Sequence, residues 1–430
     1  MRIRDPIHGT ISVSNGEKAI LDSPFYQRLR FIKQLGFGDL AFPGATHTRH
    51  AHSLGAMHVA SRLLDAILGG TAGRSLLPET VKARFRQMVR LAALCHDLGH
   101  MPLSHASEHI APPLQWLGLP AWLTEGRAEK TPQATHEDFT AHLLLNSSLA
   151  GVIKDNFGSQ NILPEDIVAL IAGRSSPNRS SFFHQGVDWR PLLRALVAGE
   201  LDADRMDYLL RDSFYTGVNY GRYDLDWVVQ NLNPALDRDC AFLAISRAAA
   251  FAFEDFLLSR YHMFVSVYYH HTTVNFDAML KHYYQEAPEE FTIPVDPEAF
   301  LLCDDVALIH TLRASSNSWA RRIVSRKGYK LLVQFTDRDE GYDLAALSAA
   351  LTQSKIDYFA VELRSALSKY VDEKGSPTLY VLDVSSGRLT SIEKYTPLYQ
   401  RYSGAVKLSH LYVKPEQMSD GQTILERMMK

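Results

Sequence analysis

The sequence predicts a mainly α protein: a helical catalytic core followed by a smaller carboxy-terminal α+β lobe. Three observations carry this. Apolar residues recur with a helical period through most of residues 22 to about 280. After about 285 the texture changes to short β-branched and aromatic runs. The composition, 46% hydrophobic and 22% charged over 430 residues, suits a folded chain with one large core or two modest ones. These signs divide the chain into a core, 1–285, and a lobe, 286–430.

Residues 1 to about 15 alternate apolar and polar (Ile3, Ile7, Ile11, Val13) and read as short strands with a turn at His8-Gly9. Asp22-Ser23-Pro24 then supplies a cap and a first-turn proline, predicting a helix through Phe25 to Ile32. Further helices are predicted over Leu54 to Leu68, Val81 to Leu98, Pro164 to Ala172, Leu192 to Phe214 and Phe251 to Tyr284. Loops rich in Gly, Ser and Pro separate them at Gly69–Gly73, Pro112–Pro132 and Gly173–Asn178. Strands are predicted to begin at Tyr329, Tyr358, Thr378 and Val406. No internal repeat or low-complexity tract interrupts the pattern.

A net charge of −3 excludes a general polycation and argues against nucleic acid as a partner, while leaving room for a local anion pocket. Cys95, Cys240 and Cys303 lie far apart, as free thiols in a reducing compartment do. The amino terminus lacks the apolar core of a signal peptide, and no run of about 18 uncharged apolar residues suggests a membrane span. A soluble cytoplasmic protein is expected.

What composition does not explain is the clustering of histidines between His47 and His136. His52, the pair His96-Asp97 and Asp204 together offer imidazole and carboxylate donors, a mixed set that suits Mn, Fe, Ni or Zn. An isolated His-Asp dipeptide is weak evidence. Here it ends the apolar stretch Val89 to Cys95, too apolar for a surface helix, and buried ionisable groups need partners or a metal. His100, His105, His109 and His136 add bases nearby, and the spacing of four puts His96 and His100 on one helical face. Asp204, Arg205, Tyr208, Arg211 and Asp212 share another face, read either as a solvated charged face or as ligands for a metal-bound polyphosphate. Arg260 and Tyr268 share a face of an aromatic stretch whose phenylalanines are core residues.

These residues resemble the H…HD…D pattern of the HD superfamily of phosphohydrolases. Asp5-Pro-Ile-His-Gly9, Gln27 to Gly36, Phe42 to Arg49, His52-Ser-Leu-Gly55, Cys95 to His105 and Phe300 to Asp305 look more specifically like the deoxynucleoside triphosphate (dNTP) triphosphohydrolases. The resemblance implies metal ligands His52, His96, Asp97 and Asp204. It implies phosphate contacts from Arg49 and Arg205, the latter where relatives carry lysine, and a catalytic His105 supported by His136. Gln34 and Leu35 would meet sugar and base, Tyr208 and Asp212 the deoxyribose, Arg260 and Tyr268 the triphosphate and sugar. Magnesium on the substrate phosphates would accompany the transition metal. Asp22, Gln27 and Arg30 resemble a regulatory nucleotide site, which implies a GTP or dNTP activator and a homo-oligomer, tetramer or dimer. The chain has Ala51 where the family places glutamate, and, with the Asp5-Pro-Ile-His-Gly9 motif so near its start, no SAM domain is expected.

The expected reaction is hydrolysis of a dNTP to deoxynucleoside and triphosphate. An HD-type nucleoside monophosphatase or phosphodiesterase is the alternative within the same chemistry, and a nucleotide sensor without turnover the alternative outside it. His96-Asp-Leu-Gly-His100 lacks the Gly-Tyr-Pro of the cyclic-dinucleotide branch.

Overall fold

The chain begins with a hairpin of β1 (Arg2–Asp5) and β2 (Gly9–Ser12). Its turn is closed by Asp5, whose Oδ1 accepts from the backbone N–H groups of Ile7 and His8. A short helix that the apolar period does not announce, α1 (Asn15–Leu21), follows with a Ser14/Glu17 capping box. Next, α2 (Pro24–Arg28) starts where its signals predict, with Ser23 capping Tyr26 N. It does not continue to Ile32: after five residues it tightens into a 3₁₀ turn, Leu29–Phe31. The computed structural model describes the chain except residues 71–72, 74–75, 128–131, 176–177, 337–338, 340–342, 367–378, 399–404 and 429–430. Parts of the three predicted loops, and the predicted strand start at Thr378, therefore lie outside the described residues.

The core is built on α3 (Arg49–Gly69) and α4 (Glu79–Cys95), which pack together, with the helix Ala203–Thr216 laid against α3. Buried Leu, Ile, Val, Met and Phe from these helices form one continuous apolar cluster. Where α3 meets Ala203–Thr216, only glycine fits. A Cβ on Gly55 would stand 1.8 Å from Asp207 Oδ1 and 2.3 Å from an Arg211 guanidinium nitrogen.

Several predicted elements break where tertiary contacts replace helical hydrogen bonds. The α4 helix stops at Cys95 instead of Leu98, so His96 and His100 do not share a helical face; His100 stands in the turn beyond. Thr140 catches the frayed end, donating to His96 O and accepting from Gly99 N. The predicted helix Leu192 to Phe214 is two, Arg190–Ala195 and Ala203–Thr216, separated by a turn in which Asp202 accepts from Gly199 N and Arg205 N. Phe251 to Tyr284 likewise divides into Ala250–Met263, a π-helical stretch Phe264–Tyr268, and His271–Glu286. Between the two sets, the predicted helical region contains a hairpin, Leu232–Asp237 against Cys240–Ser246.

The later strands serve two sheets. Lys330–Thr336 and Tyr358–Ala366 flank Ala405–Val413 in an antiparallel sheet of three. Tyr380–Asp383 instead pairs parallel with Cys240–Ser246, so the carboxy-terminal chain extends a sheet of the helical core.

The side chains opposite Gly55 are locked in buried ion pairs and cannot swing aside. Gly55→Ala is therefore expected to lower the unfolding free energy by about 3 kcal/mol, the upper range for overpacking. A denaturant titration with an unchanged midpoint would refute this close approach.

Candidate active site

Helix ends converge on one point. His52 comes from the first turn of α3, His96 and Asp97 follow the last residue of α4, and Asp204 sits in the first turn of Ala203–Thr216. His52 Nε2 lies 3.0 Å from Asp204 Oδ1, 3.3 Å from His96 Nε2 and 3.7 Å from Asp97 Oδ2. His96 Nε2 is 3.3 Å from Asp97 Oδ1 and 3.5 Å from Asp204 Oδ1. The other nitrogen of each ring is already committed. His52 Nδ1 donates to Asp207 Oδ2 at 2.7 Å, and His96 Nδ1 to Ala93 O at 2.8 Å. Each ring thus turns its Nε2 lone pair toward the other and toward two carboxylates. A proton relieves only one such contact, whereas a divalent ion satisfies all four donors. Ligands bonded at about 2.1 Å to one ion stand about 3.0–3.4 Å apart; three of the five separations, at 3.0, 3.3 and 3.3 Å, fall in that range, and those at 3.5 and 3.7 Å are slightly longer.

The electrostatics agree. Burial works against a charge on His52, yet Asp204, Asp207 and Asp97 hold its pKa up to about 10. Burial likewise opposes ionisation of Asp97, but Arg49, His96 and His100 outweigh it and keep the carboxyl well below the usual range. The pocket favours a cation, and the donor set suits a divalent metal.

Beneath His52 lies a supporting network that sequence reasoning missed. Asp207 accepts from His52, from His8 Nε2 at 2.7 Å, and from Arg211 Nε and Nη2 at 2.8 Å; Arg211 Nη1 reaches Asp5 Oδ2 at 2.9 Å. This explains the Asp5-Pro-Ile-His-Gly9 motif. Its aspartate pairs with the arginine, and its histidine with the carboxylate that orients a ligand. A signal was present: Asp207 and Arg211 are four apart on the helix that bears Asp204.

A second histidine group stands beside the first. His100, His105 and His136 bring ring nitrogens within 4.8 Å of one another, and His100 stacks on His136 at 4.0 Å. Glu108, also missed, fixes two of them, accepting from His136 Nδ1 at 2.7 Å and His105 Nδ1 at 3.1 Å. The spacing of three from His105 to Glu108 was the available clue. His105 keeps 66% of its side chain exposed within the cavity; desolvation there, with neighbouring His136 and Arg49, lowers its pKa, whereas Glu108 overcomes burial to raise that of His136.

Both groups open onto a cavity of about 1740 Å³. Arg49 forms part of its wall, with Nη1 2.6 Å from Asp97 Oδ2 and Nε 2.8 Å from Ser104 Oγ. Gln34, Leu35, Arg205, Tyr208, Asp212 and Tyr268 line it too. Gln34 Oε1 is buried with no hydrogen-bond partner among the described residues. Tyr268 OH donates to Asp212 Oδ2 at 2.8 Å, and the other oxygen of Asp212 meets His47 Nε2 at 2.8 Å. Arg260 is not part of the lining; its Nη1 lies 3.3 Å from a carboxylate oxygen of Glu200, a residue that does line the cavity. Asp22, Gln27 and Arg30 also lie away from the cavity, on the surface around α2, where Arg30 Nε donates to Gln27 Oε1 at 2.8 Å.

Asp207→Asn removes the charge opposite Arg211 and puts an amide donor against either His52 or the guanidinium. The expected outcome is a loss of about 3 kcal/mol or more of stability. Metal affinity should fall about 10–100-fold, as for other supports of a ligating histidine, read by calorimetric titration. Wild-type affinity would show that Asp207 does not orient His52.

Residues 49–212 match the HD domain, and residues 229–354 match the HD associated region. An uncharacterized protein of Methanocaldococcus jannaschii is 30% identical over 334 residues, covering 78% of this chain and 60% of that protein. The deoxynucleoside triphosphate triphosphohydrolase SAMHD1 homolog of Dictyostelium discoideum is 28% identical over 345 residues, covering 78% and 60%. This chain thus spans three fifths of the length of each. The crystal structure of a hypothetical protein from Aquifex aeolicus superposes with a TM-score of 0.74 at 26% identity, covering 99% of both chains. Residues 49–212, where the H…HD…D residues gather, are thus an HD domain followed by its associated region, and the relatives of this chain include a dNTP triphosphohydrolase.

Proposed function

We propose that this protein is a metal-dependent triphosphohydrolase that cleaves a dNTP to deoxynucleoside and intact triphosphate. The observation that carries this reading is a single cavity shared by the donor cluster, two arginines, a histidine pair of opposed proton affinity and an amide oxygen buried with no partner among the described residues. The sequence relationship to a dNTP triphosphohydrolase supports it.

His52, His96, Asp97 and Asp204 would hold the ion, of Mn, Fe, Ni or Zn type. Once bound, it supplies Lewis-acid polarisation of a phosphoryl oxygen. The chain's own residues do the rest. Arg49 and Arg205 balance the charge that spreads over the phosphates during attack on the α-phosphorus. His105, kept neutral, accepts the proton of the attacking water; His136, kept protonated, supplies one to the departing 5′ oxygen. Opposite pKa shifts in neighbouring groups are what such a division of labour requires. Tyr208, Asp212 and Tyr268 form the polar wall for the sugar, and Gln34 Oε1 accepts from the nucleoside. Magnesium would accompany the phosphates. Activation by GTP or a dNTP at Asp22, Gln27 and Arg30, within a homo-oligomeric tetramer or dimer, belongs to the same reading and rests on the family resemblance of those residues. Among the described residues no helix is long and apolar enough to cross a membrane.

Elemental analysis followed by product chromatography with each dNTP, with and without GTP, tests the reaction. Wild-type protein is expected to yield deoxynucleoside and triphosphate; His96→Ala and Asp97→Ala should reduce turnover at least about 10³-fold, as for removal of a key electrostatic group. Orthophosphate would instead indicate a monophosphatase, and near-normal turnover in either variant would sink the mechanism.

The rate profile gives a second check. His105 must be neutral and its pKa is lowered; His136 must be protonated and its pKa is raised. The bell in kcat/KM should therefore rise at a pH below the ordinary histidine value of about 6.5 and decline above it. A plateau bounded on both sides by the same unshifted value would contradict the assignment.

A further inference from the structure

The two segments that face the substrate side of the cavity, Gln34-Leu35-Gly36 and Leu103-Ser104-His105, are joined to a residue outside the HD domain. Asp305 Oδ2 accepts from Lys33 N at 2.9 Å, and its Oδ1 from Leu103 N at 2.6 Å. One buried carboxylate thus receives the amide at the entrance of each segment. Next to it, Arg28 donates to Cys303 O and to Leu98 O, so the chain at 303–305 is stitched to both sides of the site.

The second segment does not hold its shape unaided. Leu103 and Ser104 are consecutive non-glycine residues with φ of 55° and 59°, in the left-handed region that L residues avoid. That turn is useful, because Ser104 Oγ donates to Lys33 O at 2.7 Å and accepts from Arg49 Nε, and Arg49 continues to Asp97. It also brings Leu103 O so close to Gly36 that a Cβ there would be 2.9 Å from it. Two strained residues persist only where their surroundings over-determine them, and the hydrogen bond from Leu103 N to Asp305 is one of the constraints at this turn, beside those of Ser104 to Lys33 and Arg49.

We propose that Asp305 is a positioning residue: it clamps the Lys33 and Leu103 amides, sets the spacing of the two cavity segments, and so aims Ser104, Arg49 and His105 at the substrate. The HD associated region, which contains Asp305, thereby completes the site of the HD domain rather than merely following it. Burial raises the Asp305 carboxyl to about 6 against the pull of both amides, so it accepts from both in its ionised form at neutral pH. The effect on catalysis rests on the triphosphohydrolase reading; the clamp itself does not.

Asp305→Asn turns an amide donor toward one of the two N–H groups, while Asp305→Glu keeps the carboxylate. Amide hydrogen exchange, metal content and steady-state hydrolysis of the preferred dNTP would be measured on the full-length metal-loaded protein. The expected result for Asp305→Asn is faster exchange at whichever of Lys33 and Leu103 faces the new NH2 group, unchanged metal content, and a loss in kcat of about 10²-fold, the scale for misplacement of reacting groups by about 1 Å. Asp305→Glu should recover much of that loss. Near-normal kcat in Asp305→Asn overturns the proposal, as does unchanged exchange at both amides. If Asp305→Asn loses metal or fails to fold, Asp305→Glu decides: its exchange must stay slow at both amides or the clamp is refuted. If the wild type hydrolyses no dNTP, the reaction assigned above fails, and the clamp stands or falls on exchange alone.

Discussion

The candidate active site rests on one buried carboxylate. Asp207 is fully enclosed and takes four hydrogen bonds, one from His8, one from His52 and two from Arg211. Burial opposes its ionisation, but Arg211 and the two histidines outweigh the cost and hold its pKa well below the usual range. A charge this deep is tolerable only when every lone pair is answered. Its partners come from three separated segments: the amino-terminal hairpin, α3 and Ala203–Thr216. The ion-pair network therefore fixes how these elements meet. Because His52 donates its Nδ1–H to Asp207, the free nitrogen faces the metal site in one orientation.

From that anchor the order passes outward through charge and hydrogen bonding. His52, His96, Asp97 and Asp204 surround a point that favours a cation, and Arg49 joins Asp97 to Ser104 on the cavity wall. Glu108 does for His105 and His136 what Asp207 does for His52, holding each ring by its Nδ1. Two carboxylates thus orient three histidines that face the cavity or the candidate metal position. This division between rigid support and reactive surface keeps the reacting groups preorganised.

The cavity draws its walls from both ends of the chain. His105 and Arg49 come from the HD domain, Tyr268 and Val274 from the associated region, and Phe359 and Leu363 from a strand of the carboxy-terminal sheet. The associated region also returns to the helical core through Cys303 and Asp305, and the later chain does so through Tyr380–Asp383. Substrate-facing surface and mechanical support are consequently shared across the length of the protein.

What the sequence by itself determined is whatever a few neighbouring residues encode. The Ser23-Pro24 helix start, the helix Pro164–Ala172 and the later strands follow from caps and periods a handful of residues long. The H…HD…D residues stood out because they place ionisable donors where an apolar core helix would otherwise exclude them. Only the tertiary structure decided that α4 stops at Cys95, since Thr140 replaces the lost helical bonds from 44 residues away. Only it decided that Arg260 pairs with Glu200 instead of lining the cavity, that Asp207 takes His8 from 199 positions distant, and that Asp305 meets Lys33 across 272. The physical reason is the same in each case. Helix and strand signals are local, whereas a buried polar group is satisfied by whichever residue packing brings within about 3 Å, and that partner is chosen by the whole fold.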